Sequence, residues 1–141
     1  MKTKVFLDTN ILLDLMISGR DSDSSIAIFR DVKDHLLEAQ ISTQSILDAS
    51  YCARRAGVPF ETFRLIIQDL LRDVNLGAID SFDISWAFDN PSGDFEDDAQ
   101  ISSAINGTCY YFITHDKSQI GRKLPVPMKI VSPEDFVSGR E

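Results

Sequence analysis

Cysteine is scarce in this chain. There are two, Cys52 and Cys109, among 141 residues, with no C-x-x-C and only two histidines. That scarcity excludes a disulfide framework and argues against a thiolate zinc site; it fits two free thiols in a reducing compartment. Long apolar runs are absent too, so no segment reaches the length of a transmembrane helix. The chain opens directly on a strand pattern, so no secretory leader is expected and the cytoplasm is the default compartment. Positive charge is the third shortage. Fourteen Lys and Arg face twenty-two Asp and Glu, for a net charge of -8 and a pI near 4.6. A general nucleic-acid binder would carry a basic field. Acids gathered around a divalent cation would give the same balance, so position has to decide. No internal repeat or low-complexity segment stands out. What remains is 43% hydrophobic and 26% charged, which suits one soluble domain, residues 1–141, with one core.

Apolar strand-like runs alternate with amphipathic stretches, a pattern that predicts an α/β fold with a mostly parallel sheet. Residues 4–7 read as the first strand and residues 11–16 as the start of a helix. Residues 18–21 form a loop. The spacing of Ile26, Phe29, Val32 and Leu36 predicts one face of a helix over 24–39. Residues 40–42 are a short strand candidate. Ser42 or Thr43 can cap a helix to about Ala56, with Gly57 as its stop. Pro59 suits the first turn of the next helix, with Phe60, Phe63, Ile67, Leu70 and Val74 inward. Residues 75–82 are ambiguous between strand and loop, and 84–89 read as a short helix. A helix over 95–106 ends at Gly107. Residues 109–114 and 128–131 read as strands. Ser132 and Pro133 start a last helix.

Four acids stand in unusual places. Asp8 ends the first strand, in "KVFLDTNILLDLM", and Asp116 follows a later one, in "YYFITHD". In an open parallel sheet the carboxyl ends of strands line the ligand crevice, so neighbouring strands would bring these two together. Each also has an ordinary reading, as a helix-start or turn residue. Asp48 lies inside a helix, where Asp is a poor choice. No opposite charge stands three or four residues away, so it is either exposed or paired with something distant. "GDFEDDAQ" gathers Asp94, Glu96, Asp97 and Asp98 at a helix start; capping and the helix dipole explain acids there, but not so many. Two carboxylates ~5 Å apart repel by about 3 kcal/mol at an effective dielectric near 20. A converging set therefore needs a cation or a retained proton. Oxygen ligands without Cys or His suit Mg²⁺ or Mn²⁺, ions that serve phosphoryl chemistry.

With these residues in view, the sequence resembles the PIN-domain family, small metal-dependent ribonucleases that include the VapC-like toxins. "VFLDTNILLDLM" looks like the family's opening strand and D-T-N turn, and "ISTQSILDASYCARR" like its second acidic segment. "GDFEDDAQISSAI" is similar to the D-x-E-D segment of one subgroup, and "YYFITHD" to the final strand with its T-x-D ending. The tail "VSPEDFV" is similar to a common PIN ending.

The resemblance implies an α/β/α sandwich with a mostly parallel sheet of about five strands, and RNA hydrolysis with Mg²⁺ or Mn²⁺ that leaves a 5′-phosphate and a 3′-hydroxyl. It implies Asp8, Asp97 and Asp116 as metal ligands. Asp48 would be a direct or water-mediated fourth, in a place where the family usually carries Glu. Thr9, Asn10, Asp94 and Thr114 would orient the ligands or their waters, with helix capping by Thr9 and Asn10 an equal reading. Asp97 and Asp98 point about 100° apart on a helix, so one of them faces the site. Arg54 and Arg55, or Lys117, Arg122 and Lys123, could bind RNA phosphates. His115 is assigned no role. Many small PIN proteins are toxins of bacterial toxin–antitoxin pairs, so an antitoxin partner and a homodimer, formed through the Phe60, Phe63, Ile67 helix, are further expectations.

Two other readings compete. One is a catalytically weak or inactive PIN-like module that acts by binding, suggested by Asp48 in place of Glu. The other is a haloacid-dehalogenase-type phosphatase, which needs a second Asp two residues after the first. Asn10 stands there and has no proton to give.

Overall fold

A computed structural model describes residues 2–20 and 22–139; Asp21, in the predicted 18–21 loop, lies outside them. Strands β1 (Thr3–Leu7), β2 (Leu37–Ser42), β3 (Asn75–Gly77), β4 (Tyr111–Ile113) and β5 (Lys129–Val131) form one sheet in the order β3-β2-β1-β4-β5, every pairing parallel. Helices α1 (Thr9–Leu13), α2 (Asp23–Lys33), α3 (Thr43–Arg55), α4 (Phe60–Leu70), α5 (Ser81–Asp89), α6 (Phe95–Asn106) and α7 (Pro133–Ser138) connect and flank the strands.

Alternation along the strands divides the core between two faces. Val5 and Leu7 of β1, with Ala39, Ile41 and Ile113, point to one face and meet Ile11, Leu12, Ile28, Val32, Ala49, Leu70 and Phe136. Phe6, Phe112 and Ile130 point to the other and meet Ile101 and Ala104 of α6, with Trp86 of α5 at the margin. Phe6 and Phe112 are register partners, and their rings stack with centroids 5.1 Å apart. Helices on both faces complete a three-layer α/β/α sandwich. Among the described residues, no helix is long and apolar enough to cross a membrane. Cys52 and Cys109 are both free.

The central strand β1 positions the site. Its connection to β2 runs to one side and its neighbour β4 lies on the other, so the order in which strands are added across the sheet reverses at the β1/β4 pair. Such a switch point opens a crevice at the carboxyl ends of the strands.

Several elements depart from the sequence reading. The helix expected over 24–39 stops at Lys33. His35 adopts φ 60 and sits just past the helix. Its amide donates to the Val32 carbonyl, and the Leu36 amide donates to that of Asp31. This is a Schellman stop with histidine where glycine is usual. Leu36 then leaves the helix, 58% exposed, and β2 starts early, at Leu37. Ile26 is 39% exposed, so the buried face runs through Ser25, Ile28, Phe29 and Val32 instead. On α4, Ile67 and Leu70 are buried, but Phe60 is 65% exposed at the helix entrance. The ambiguous 75–82 stretch holds the short strand β3 and then Asp80, which forms a capping box with Asp83. Asp8 itself occupies the N-cap of α1, accepting from the Thr9 amide at 2.7 Å; Thr9 and Asn10 lie within the helix rather than capping it.

Candidate metal centre

The crevice at the switch point is where the flagged acids gather. Asp8 follows the last residue of β1, and its amide donates to the Ile113 carbonyl of β4 at 3.1 Å. Its carboxylate is buried. Oδ1 accepts from the Thr9 amide at 2.7 Å and faces the Gln100 Nε2 at 3.5 Å. Oδ2 accepts from the Thr114 hydroxyl at 2.8 Å and the Asn10 Nδ2 at 3.3 Å. Thr114, one residue past β4, also accepts from the Asp116 amide at 3.0 Å and so ties the two strand-end acids together.

Helix α6 brings the next group. Asp94 is its N-cap and accepts from the Asp97 amide at 3.1 Å. Asp97 turns into the crevice, and carboxylate oxygens of Asp94, Asp97 and Asp116 lie within 4.8 Å of one another. Asp98 turns the other way. It is buried, pairs with Arg122 at 2.6 Å, and accepts from the amide and hydroxyl of Ser92. Of the two adjoining acids, Asp97 is the one that meets the cluster. Arg122 also donates to the Asn90 carbonyl, and its guanidinium lies over the Trp86 ring. It is therefore an internal brace and not available to RNA as the sequence reading allowed.

Asp48 reaches the same crevice from α3. It lines a cavity of about 400 Å³ with Asp8, Thr9, Asn10, Tyr51, Glu96, Asp97 and Gln100 among its walls. Its Oδ1 accepts from the Gln44 amide at 2.9 Å, and it stands outside the tight cluster of Asp94, Asp97 and Asp116. Arg54 and Arg55 are exposed beside the cavity, each guanidinium 5.8 Å from the centre of the Tyr51 ring. Tyr51 is 52% exposed. Lys117 is exposed next to Asp116. Lys123 is also exposed, but it borders a separate cavity along residues 120–131.

The electrostatics follow from the crowding. Burial pushes the Asp8 carboxyl above its usual range, against the hydrogen bonds from Thr114 and Thr9. Burial, the Asp8 charge and a hydrogen bond to Asp116 push Asp97 up to about 8. Asp116 goes the other way: its hydrogen bonds from Ser118 and Asp97 hold it below the usual carboxylate range. At neutral pH, then, Asp97 keeps a proton that it donates to Asp116. A proton held by burial among converging anions is one that a cation would displace. The donors are all hard oxygens, as Mg²⁺ or Mn²⁺ prefer. The Thr9 Oγ1 is buried at the cavity wall with no hydrogen-bond partner, the one such atom among the described side chains. These residues fit a divalent ion.

Sequence reasoning missed two polar residues here. Gln100 lies three residues after Asp97, on the same helical face, and is 3% exposed. A single amide among Ala99, Ile101, Ser102 and Ser103 was the available signal. Asp14 lies within the opening stretch itself. It is buried, with Ser25 Oγ at 2.5 Å, Arg20 Nε at 2.6 Å and His115 Nε2 at 2.6 Å. Burial opposes its charge, but these three groups prevail and hold its carboxyl below the usual range. The His115 amide donates to the Asn10 Oδ1, so this buried hub braces the turn that carries Asp8.

A family model described as PIN domain matches residues 4–118. No curated protein matches the sequence. Among solved structures, the fold is similar to a toxin–antitoxin complex from Klebsiella pneumoniae, at 19% identity and a TM-score of 0.65, covering 92% of this chain and 97% of that one. It is similar to VapC20 of Mycobacterium tuberculosis, a sarcin-ricin loop cleaving toxin, at 12% identity and 0.65, covering 89% and 98%. It is also similar to PAE2754 from Pyrobaculum aerophilum, at 12% identity and 0.66, covering 97% and 88%.

Proposed function

The chain belongs to the PIN domain family, and on that premise we propose that it is a divalent-metal-dependent endoribonuclease, acting as one domain over residues 1–141. The observation that carries this reading is the gathering of Asp94, Asp97 and Asp116 carboxylate oxygens within 4.8 Å of one another at the switch-point crevice, with Asp8 near enough for its charge to raise Asp97. Bound there, Mg²⁺ or Mn²⁺ would supply Lewis acidity for phosphodiester hydrolysis and lower the pKa of a water.

The residues have separable tasks in this proposal. Asp8, Asp97 and Asp116 hold the ion, with Asp94 beside them and Asp48 across the cavity. Asp97 gives up its proton when the ion binds. Asn10 and Thr114 fix the Asp8 carboxylate through its Oδ2. Arg54 and Arg55, with Lys117 on the other side, meet RNA phosphates and offset the acidic surroundings.

The test is cleavage of single-stranded RNA by purified protein with Mn²⁺. Asp8→Asn is expected to lower the rate at least ~100-fold at unchanged folding, as loss of a group that orients the ion would, and equal rates would refute the reading. The likeness to a toxin–antitoxin complex supports a further part of the proposal: a toxin held by an antitoxin. Coexpression with the product of a neighbouring small gene would then relieve growth arrest. Self-association would use the exposed Phe60 end of α4.

One observation favours a second reading. Asp48 is a methylene shorter than the Glu usual in the family and is engaged by Gln44, as a site of reduced activity would have it. Under that reading the protein acts by binding, and calorimetry would find no Mn²⁺ uptake at millimolar metal.

A further inference from the structure

Gln100 links α6, α3 and the turn between β1 and α1, each of which carries a crevice acid. It lies on α6, three residues after Asp97. Its Oε1 is 2.7 Å from the Ser45 hydroxyl and 3.1 Å from that of Ser42. Ser42 caps α3, and Ser45 lies on α3 three residues before Asp48. Its Nε2 faces Asp8 Oδ1 at 3.5 Å.

The chemistry allows one orientation of this amide. A carboxylate only accepts, so the NH₂ group must face Asp8 and the oxygen must face the serines. Ser45 gives its proton to the Gln100 oxygen at 2.7 Å, the Ser42 hydroxyl shares its one proton between that oxygen and the Ser45 hydroxyl at 3.0 Å, and the Ser42 oxygen in turn accepts from the Ser45 amide at 2.9 Å. All four side chains are buried, so no bulk water replaces a bond that is lost. The other three donors to Asp8 come from Thr9, Asn10 and Thr114, all at the β1 and β4 ends. Of the four, only Gln100 ties Asp8 to the helices that bear Asp97 and Asp48.

We infer that Gln100 is a positioning residue. Its amide, oriented by Asp8 and bonded to Ser42 and Ser45, sets the register of Asp8 against α3 and α6 and thereby the affinity of the crevice for a divalent ion. The inference rests on the metal-dependent reading above. Residues that orient a metal ligand in this way are worth ~10–100-fold in metal affinity.

The test compares Gln100→Met with Gln40→Met. Methionine keeps length and burial but loses all three bonds. Gln40 is another buried glutamine; its amide donates to the Ser103 carbonyl at 3.4 Å and it does not line the cavity, so it reports on structure alone. Calorimetric Mn²⁺ titration of Gln100→Met is expected to give a Kd about tenfold weaker, with kcat on RNA reduced and KM unchanged. Ser45→Ala should shift Kd in the same direction by less. Gln40→Met should lower Tm and leave the Mn²⁺ Kd alone. A wild-type Kd for Gln100→Met, or an equal loss in Gln40→Met, overturns the inference. Wild-type protein that binds Mn²⁺ and cleaves no RNA overturns the nuclease reading alone, because the Kd comparison still decides. Wild-type protein that binds no Mn²⁺ overturns both.

Discussion

The proton on Asp97 makes the metal-free protein less stable as pH rises. An unfolded Asp loses its proton near pH 4, whereas native Asp97 keeps its own to about 8. Between those limits Asp97 by itself gives the native state one proton more than the unfolded chain. Stability therefore falls with pH at up to about 1.4 kcal/mol per pH unit, and levels off above pH 8. Solvent reaches this half-buried group, which shrinks the shift and so narrows the window over which that slope applies. Going from pH 6 to pH 8 should then cost about 1–2 kcal/mol, or ~3–6 °C in Tm for a chain of this size. Asp97→Asn removes the titrating group, so its Tm should change less over that range and exceed that of the wild type at pH 8. Mn²⁺ should reverse the trend, adding about 2.7 kcal/mol at a hundredfold excess over Kd. The assay is thermal denaturation at pH 6, 7 and 8 with and without metal. Calorimetry in two buffers of different ionisation enthalpy would complete it, with about one proton released per ion at pH 7 and almost none above about pH 9. Identical pH dependence in the wild type and Asp97→Asn, with no buffer dependence of the Mn²⁺ heat, would refute the reasoning.

Other consequences are as direct. Asp98→Ala leaves the partly exposed Arg122 without its carboxylate and should lower stability by about 1.5–3 kcal/mol in urea unfolding, while Mn²⁺ affinity measured below the unfolding transition stays near that of the wild type. Asp48→Glu restores the missing methylene and should tighten Mn²⁺ binding and raise the cleavage rate several-fold; a fall in both would show that the shorter side chain is the better fit. Arg54→Ala with Arg55→Ala should raise KM for RNA without altering kcat, and flatten the salt dependence of KM by a log–log slope of about 1–2 for two lost phosphate contacts.

Strands β1, β4 and β5 were legible as short apolar runs, β2 only from residue 40 and β3 only as an ambiguous stretch, while the helices carry their own punctuation: Ser42, Gly107, Ser132 and Pro133 all stand where the structure uses them. The α2 end was illegible because a histidine, not a glycine, takes the left-handed position. At the crevice, placement against strand ends and helix starts drew attention to Asp8, Asp48, Asp97 and Asp116. The sequence could not show that Asp14, Asp83 and Asp98 are buried acids satisfied from within. Asp14 has Arg20 and His115, Asp98 has Arg122, and Asp83 accepts from Ser102 and Asn106. Apart from Arg20, each of these partners stands far along the chain from its acid, so no local window contains the pair. Gln100 was hidden for the same reason. Its three contacts lie 55, 58 and 92 residues away in the chain.

The order in which the acids are delivered has a bearing on synthesis. Asp8, Asp48 and Asp97 leave the ribosome before Asp116, and β4, which lies beside β1 and precedes the Thr114 that bonds Asp8, is the last strand but one. A nascent chain thus carries its earlier acids while the strand that would close the crevice is still unmade. If the protein is the nuclease proposed, the growing polypeptide lacks Asp116 and the Thr114 hydroxyl that holds Asp8 until β4 has been made. On that reading, the crevice would be complete only once β4 settles between β1 and β5.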